Sequence, residues 1–160
     1  MQGNHFSKVL VAIDGSTSSM RAIDYAISIA MKNNSQLIIL YVIDFYKYSH
    51  LSSSIILAPT FGSEKYLEEK SEAEKLMNKI KENFELKIRD NAKSEPTELK
   101  TEIVEGAKSV ATTIMEYAES KDVDLIIVGN RGRTGFKKLL LGSVSSNIIK
   151  NAQCAVLVIR

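Results

Sequence analysis

The chain has 160 residues, 44% of them apolar and 25% charged, with a formal charge of +2. Those values describe one folded domain over residues 1–160, able to bury roughly 70% of its unfolded surface without staples, and so small a net charge gives no footing for a nucleic-acid partner. One cysteine excludes a disulfide framework, and neither a basic-then-apolar leader nor an apolar stretch of transmembrane length occurs, so a cytoplasmic protein without a membrane partner is expected.

Lys8-Val9-Leu10-Val11-Ala12-Ile13 reads as a buried strand stopped by Asp14-Gly15, with Ser16 or Thr17 available to cap a helix after it. Ile23, Ile27, Ala30 and Met31 fall on one face of that helix, which Asn33-Asn34-Ser35 ends before a second strand over Gln36 to Ile43. From about Asp44 to Gly62 no period is clear. The apolar part of that stretch, Leu51 to Phe61, suits either packing on its own sheet or covering a crevice or dimer contact. Tyr66, Ala73, Met77, Ile80, Phe84 and Ile88 mark the buried stripe of a long charged helix whose other face is solvated.

Glu98 to Val104 alternates apolar and polar residues, as a strand buried on one side or at a sheet edge would, and Glu105-Gly106 closes it. Val110, Ile114 and Ala118 support another helix, and Asp124 to Val128 a buried strand. Ser143 to Lys150 forms a helix opened by its own capping serine, and Ala155 to Ile159 a final strand, with Cys154 a buried, inert thiol at its start. Strands alternating with helices predict a five-stranded parallel sheet covered on both faces, with ligands expected at the carboxyl ends of the strands. Asp14, Val42 and Gly129 all end strands and can share one crevice.

Between the fourth strand and the last helix lie Gly129-Asn130-Arg131-Gly132 and, nine residues later, Gly142-Ser143. Glycines there allow positive φ and close backbone approach to a ligand, and amides at a helix start attract anions, so the segment reads as a phosphate cradle. Asp14 serves equally as a carboxylate for ribose or adenine and as an ordinary turn or capping residue. Arg131, Arg133, Lys137 and Lys138 either neutralise phosphates or are simply solvated. His5 and His50 have no second ligand at metal spacing, and no metal site is expected.

The spacing of Gly129, Gly132, Gly142 and Ser143, together with Val11-Ala12-Ile13-Asp14-Gly15-Ser16, resembles the universal stress protein family in its ATP-binding branch, over nearly the whole length. The resemblance implies a Rossmann-like sheet of order 3-2-1-4-5, a crevice between strands one and four, and a homodimer through the last strand. It also implies a nucleotide that regulates rather than one that is rapidly consumed. Carried over residue by residue, Gly129, Gly132, Gly142 and Ser143 contact ribose and phosphates, with Arg131 beside them. Val144 and Ser145 add amides or a hydroxyl, Asp14 sits beside the nucleoside, and Val42 reads adenine through its backbone. Ala12 stands where some members carry proline, which makes one adenine contact smaller. ATP with magnesium bridging its phosphates is the expected cofactor. The alternatives are a slow ATPase or ATP-dependent transferase using the same loop, and an interaction module that has lost ATP.

Overall fold

A computed structural model describes residues 5–45, 47–48, 59–90, 98–133 and 141–160. His50, Lys137, Lys138 and the apolar stretch from Leu51 up to Pro59 lie outside the described residues.

Strands β1 (Lys8–Ile13), β2 (Gln36–Asp44), β3 (Leu99–Gly106), β4 (Leu125–Gly129) and β5 (Ala155–Ile159) form one parallel sheet in the order β3-β2-β1-β4-β5. Helices α1 (Thr17–Asn33), α2 (Pro59–Asp90), α3 (Val110–Ser120) and α4 (Ser143–Asn151) connect them. Both faces are covered, so the central strands carry continuous apolar runs; Val9, Leu10, Val11, Leu37, Ile39 and Leu40 are fully enclosed. Alternation divides the core in two. Val9, Val11, Ile13, Leu37, Ile39 and Tyr41 pack against Ile23 and Ile27 of α1 and Met77, Ile80 and Phe84 of α2. Leu10, Ala12, Leu40, Val42, Ile126 and Val128 pack against Ile114 and Ala118 of α3 and Ile148 of α4.

Strand β3 is an edge, and its residues from Leu99 to Val104 are only half-buried, in keeping with its alternating sequence. It runs on through Glu105-Gly106, which pair with Ile43-Asp44, rather than ending before them. Strand β5 is the other edge. α1 ends at Asn33, and Asn34 takes the left-handed conformation (φ 52°) that the Asn-Asn-Ser stop foretells.

Two local expectations are corrected. Ser143 does not cap α4: it is the first helical residue, and Gly142, with extended backbone (φ −75°, ψ 163°), occupies the cap without any side-chain hydrogen bond. Positive φ among the described glycines belongs to Gly15 (81°), in the β1–α1 turn, and not to Gly129, Gly132 or Gly142. What the loop glycines supply is room. A Cβ on Gly129 would lie 2.5 Å from Ser18 Oγ and 2.8 Å from the Ser19 amide, and one on Gly132 would lie 2.7 Å from Asp14 Oδ2.

Candidate functional site

Order reverses at β1, whose Val9–Ala12 segment pairs with β2 on one side and β4 on the other. Connections from β1 and β4 leave to opposite faces there, and a crevice opens beyond the carboxyl ends. The structure holds a cavity of about 700 Å³ at this point, within the range of small-molecule sites. Ala12, Asp14, Val42, Gly129, Arg131, Gly132, Gly142, Ser143, Val144 and Ser145 all line it.

Its two sides differ chemically. Toward α3 and α4 the wall is apolar, made by Ala12, Val42, Val110, Ile114, Val128 and Val144. Toward α1 and α2 it is polar, with Asp14, Ser19, Tyr41, Glu69 and Arg133, and Asp44 and Lys47 add charge at and after the end of β2. At the lip, α4 begins with Gly142. The first amides of a helix have no partner one turn back, and glycine has no side chain to offer them.

The glycine loop is held from behind. Asn130 N–H donates to the Ile159 carbonyl at 2.6 Å, and the Asn130 carbonyl accepts from Gly142 N–H at 2.7 Å and from the Ser145 hydroxyl at 3.2 Å. Buried Ser145 also donates to the Gly142 carbonyl at 3.1 Å, so its hydroxyl shapes the loop and its amide is what remains at the helix start. The Arg131 carbonyl accepts from Ser18 Oγ (2.6 Å) and Ser16 Oγ (3.2 Å) at the start of α1.

Asp14 joins the two halves of the crevice. One carboxylate oxygen accepts from Ser16 N–H at 3.0 Å, closing the β1–α1 turn, and the other accepts from Arg133 N–H at 2.9 Å. The turn role open to Asp14 is therefore present, and it is combined with bracing of the glycine loop. This is also why Gly132 must lack a side chain, since a Cβ would press on the same carboxylate oxygen.

A second polar group carries no motif in the sequence. Glu69 of α2, with a side chain 16% exposed, accepts from Tyr41 Oη at 3.1 Å and from the Tyr48 hydroxyl, and Arg133 Nη1 reaches Tyr41 Oη at 3.2 Å and Glu69 Oε1 at 3.4 Å. Burial, followed by the charge of Glu69 and the hydrogen bond to it, pushes the Tyr41 phenol up to about 12, with Arg133 pulling the other way. Burial and the bond to Glu69 likewise raise Tyr48. Both phenols stay protonated donors. A signal for Glu69 existed: it falls three residues after Tyr66 and four before Ala73, inside the stripe that faces the core, where an acid needs partners.

Elsewhere the outcome is plainer. His5 is exposed, and among the described residues no group of three or more His, Cys, Asp or Glu is placed to hold a metal. Cys154, just before β5, is half-buried, and burial pushes its thiol up. No described helix is long and apolar enough to cross a membrane.

The sequence profile of the universal stress protein family matches residues 5–160. The chain belongs to that family. Universal stress protein MJ0531 of Methanocaldococcus jannaschii is 36% identical over 162 residues, covering 98% of this chain and 84% of that one. The solved universal stress protein UspA from Lactobacillus plantarum superposes with a TM-score of 0.78 at 28% identity, over 98% of this chain and 99% of that one. A universal stress protein solved in complex with cAMP shares the fold at 24% identity and a TM-score of 0.60, over 98% of each chain. As a universal stress protein the chain has the sheet order that the family resemblance implies, β3-β2-β1-β4-β5.

Proposed function

We propose that this universal stress protein is an ATP-binding regulatory protein whose conformation or choice of partner depends on the nucleotide in the crevice. The observation that carries the reading is the pairing of an apolar wall with an uncapped helix start in one cavity. Ala12, Val42 and Val128 offer a flat apolar surface for a purine, with the Val42 backbone at its edge. The amides of Ser143, Val144 and Ser145 offer donors to phosphates at the positive end of α4. Gly129 and Gly132 let the backbone approach ribose, and Arg131 adds positive charge.

Magnesium would come with the nucleotide and neutralise its phosphates. The cavity carboxylates favour that over an all-protein metal site, because Asp14 already accepts from two backbone amides, Glu69 from two tyrosines and Asp44 from Lys47 N–H. The same engagement favours binding over turnover, since each of these candidate bases already holds a hydrogen bond. Single-turnover assays should therefore give hydrolysis far below the roughly 1–100 per second of kinases.

Isothermal calorimetry with ATP and magnesium tests the core of the proposal. Saturable binding is expected, with a loss of more than about tenfold in Gly132→Val, whose side chain would drive Asp14 out of place. Unchanged affinity in that folded variant would sink the cradle assignment. Assembly is proposed through β5, an edge strand of Val156, Leu157 and Val158 that is only half-buried in one chain and suits an isologous two-fold contact. Light scattering should show a dimer, and Leu157→Glu a monomer.

A further inference from the structure

Among the described residues lining the cavity, Asp14, Asp44 and Glu69 stand against Lys47, Arg131 and Arg133. A polyanion entering beside three carboxylates is helped by a cation that can leave its present partner without stranding it. Arg133 fits that need. Its side chain is 52% exposed and, among the described residues, its guanidinium makes long contacts, 3.2 Å to Tyr41 Oη and 3.4 Å to Glu69 Oε1. Glu69 does not depend on it, because the Tyr41 and Tyr48 hydroxyls both donate to the carboxylate, so the enclosed acid keeps hydrogen bonds when the cation goes. Meanwhile the Arg133 backbone is fixed to Asp14 at 2.9 Å, so the side chain pivots from an anchored point at the cavity wall.

We propose that Arg133 is a charge-reading residue held in reserve: Glu69 and Tyr41 park its guanidinium, and the phosphates of a nucleoside polyphosphate take it from them, so that the cavity prefers polyphosphates to the uncharged nucleoside. A planar fork of donors suits a phosphate better than one long contact to a carboxylate already satisfied by phenols. The exchange also changes what α2 feels. With the cavity empty, α2 is tied through Glu69 to the glycine loop; with a polyphosphate bound, that tie is gone and Glu69 keeps only its tyrosines. Occupancy is thereby transmitted to a helix on the opposite face of the sheet from α4.

This inference rests on the nucleotide reading, and calorimetry with ATP and with adenosine, in one magnesium buffer, separates the two. Arg133→Gln should weaken ATP by about tenfold while any loss for adenosine is much smaller. Glu69→Gln keeps an acceptor for the tyrosines but releases the arginine, and should tighten ATP by about three- to tenfold. Glu69→Asp, which retains the charge but withdraws it by one methylene, should shift ATP in the same direction, and it substitutes for the glutamine variant if melting shows that one unfolded. In the Arg133→Gln background neither Glu69 change should tighten ATP further; general relief of negative charge would persist there. Weaker or unchanged ATP binding in both folded Glu69 variants, or tightening that survives without Arg133, overturns the exchange and leaves the nucleotide reading standing. Wild-type protein that binds neither ATP nor adenosine overturns both.

Discussion

Two helix starts border the same crevice and are finished in opposite ways. α1 is closed: Ser16 caps it, its hydroxyl accepting from Ser19 N–H at 3.3 Å, and Ser16 and Ser18 also reach across to the Arg131 carbonyl. α4 starts on Gly142, which has nothing to close the turn with. The start of α3, whose Val110 also lines the cavity, is capped by Ser109 in the ordinary manner. A capped start satisfies itself and can serve as a wall, whereas an uncapped one keeps donors for something else. In this fold the closed start holds the loop in place, and the open start faces the cavity the loop shapes.

The largest effect expected from disturbing that division is at Gly129, where the loop touches the closed start. A valine there would meet Ser18 Oγ and the Ser19 amide at distances no side chain tolerates, so Gly129→Val should cost about 3 kcal/mol in urea unfolding. A change below about 0.5 kcal/mol would mean the two elements are not in contact. Next, Ser16→Ala removes both a cap and a bond to the Arg131 carbonyl, and should cost about 1–2 kcal/mol by the same measurement. The smallest change in stability is the most informative. Gly142 has backbone angles open to any residue, and a Cβ there meets nothing among the described residues closer than 3.5 Å. Gly142→Ser should therefore stabilise the fold by a few tenths of a kcal/mol as a new cap, yet weaken ATP several-fold on the nucleotide reading, because the new hydroxyl claims a donor. Gain in both stability and affinity would erase the distinction between the two starts.

Most of the architecture was legible because the strands announce themselves by composition. The runs at Lys8–Ile13 and Ala155–Ile159 coincide with β1 and β5, and β2 and β4 differ by a residue at their ends. Burial on both faces forces apolar residues at every position, a pattern that needs no partner to be recognised. Asp14, Val42 and Gly129, read as strand ends, allowed a shared crevice, and the family resemblance put it between the first and fourth strands, although β2 runs on two residues past Val42. What was misread is local and steric. Whether Ser143 or Gly142 caps a helix is a matter of one residue's ψ, and both are good caps by type. The need for glycine at 129 and 132 comes from Ser18 and Asp14, more than a hundred residues away along the chain, which no local pattern reports. Glu69 escapes a helical periodicity that counts apolar residues only, and its partners Tyr41 and Tyr48 lie in β2 and after it, far along the chain.

The hydrogen bond from Asn130 to the Ile159 carbonyl has a practical side. Ile159 ends the last strand, so any chain continuing past Arg160 departs from the anchor that holds the glycine loop, and the Asn130 carbonyl passes that anchor on to Gly142 and Ser145. An affinity tag or reporter fused there would pull on the crevice itself. His5, exposed and ahead of β1 at the amino ends of the strands, offers an attachment point at the far end of the sheet from the cavity.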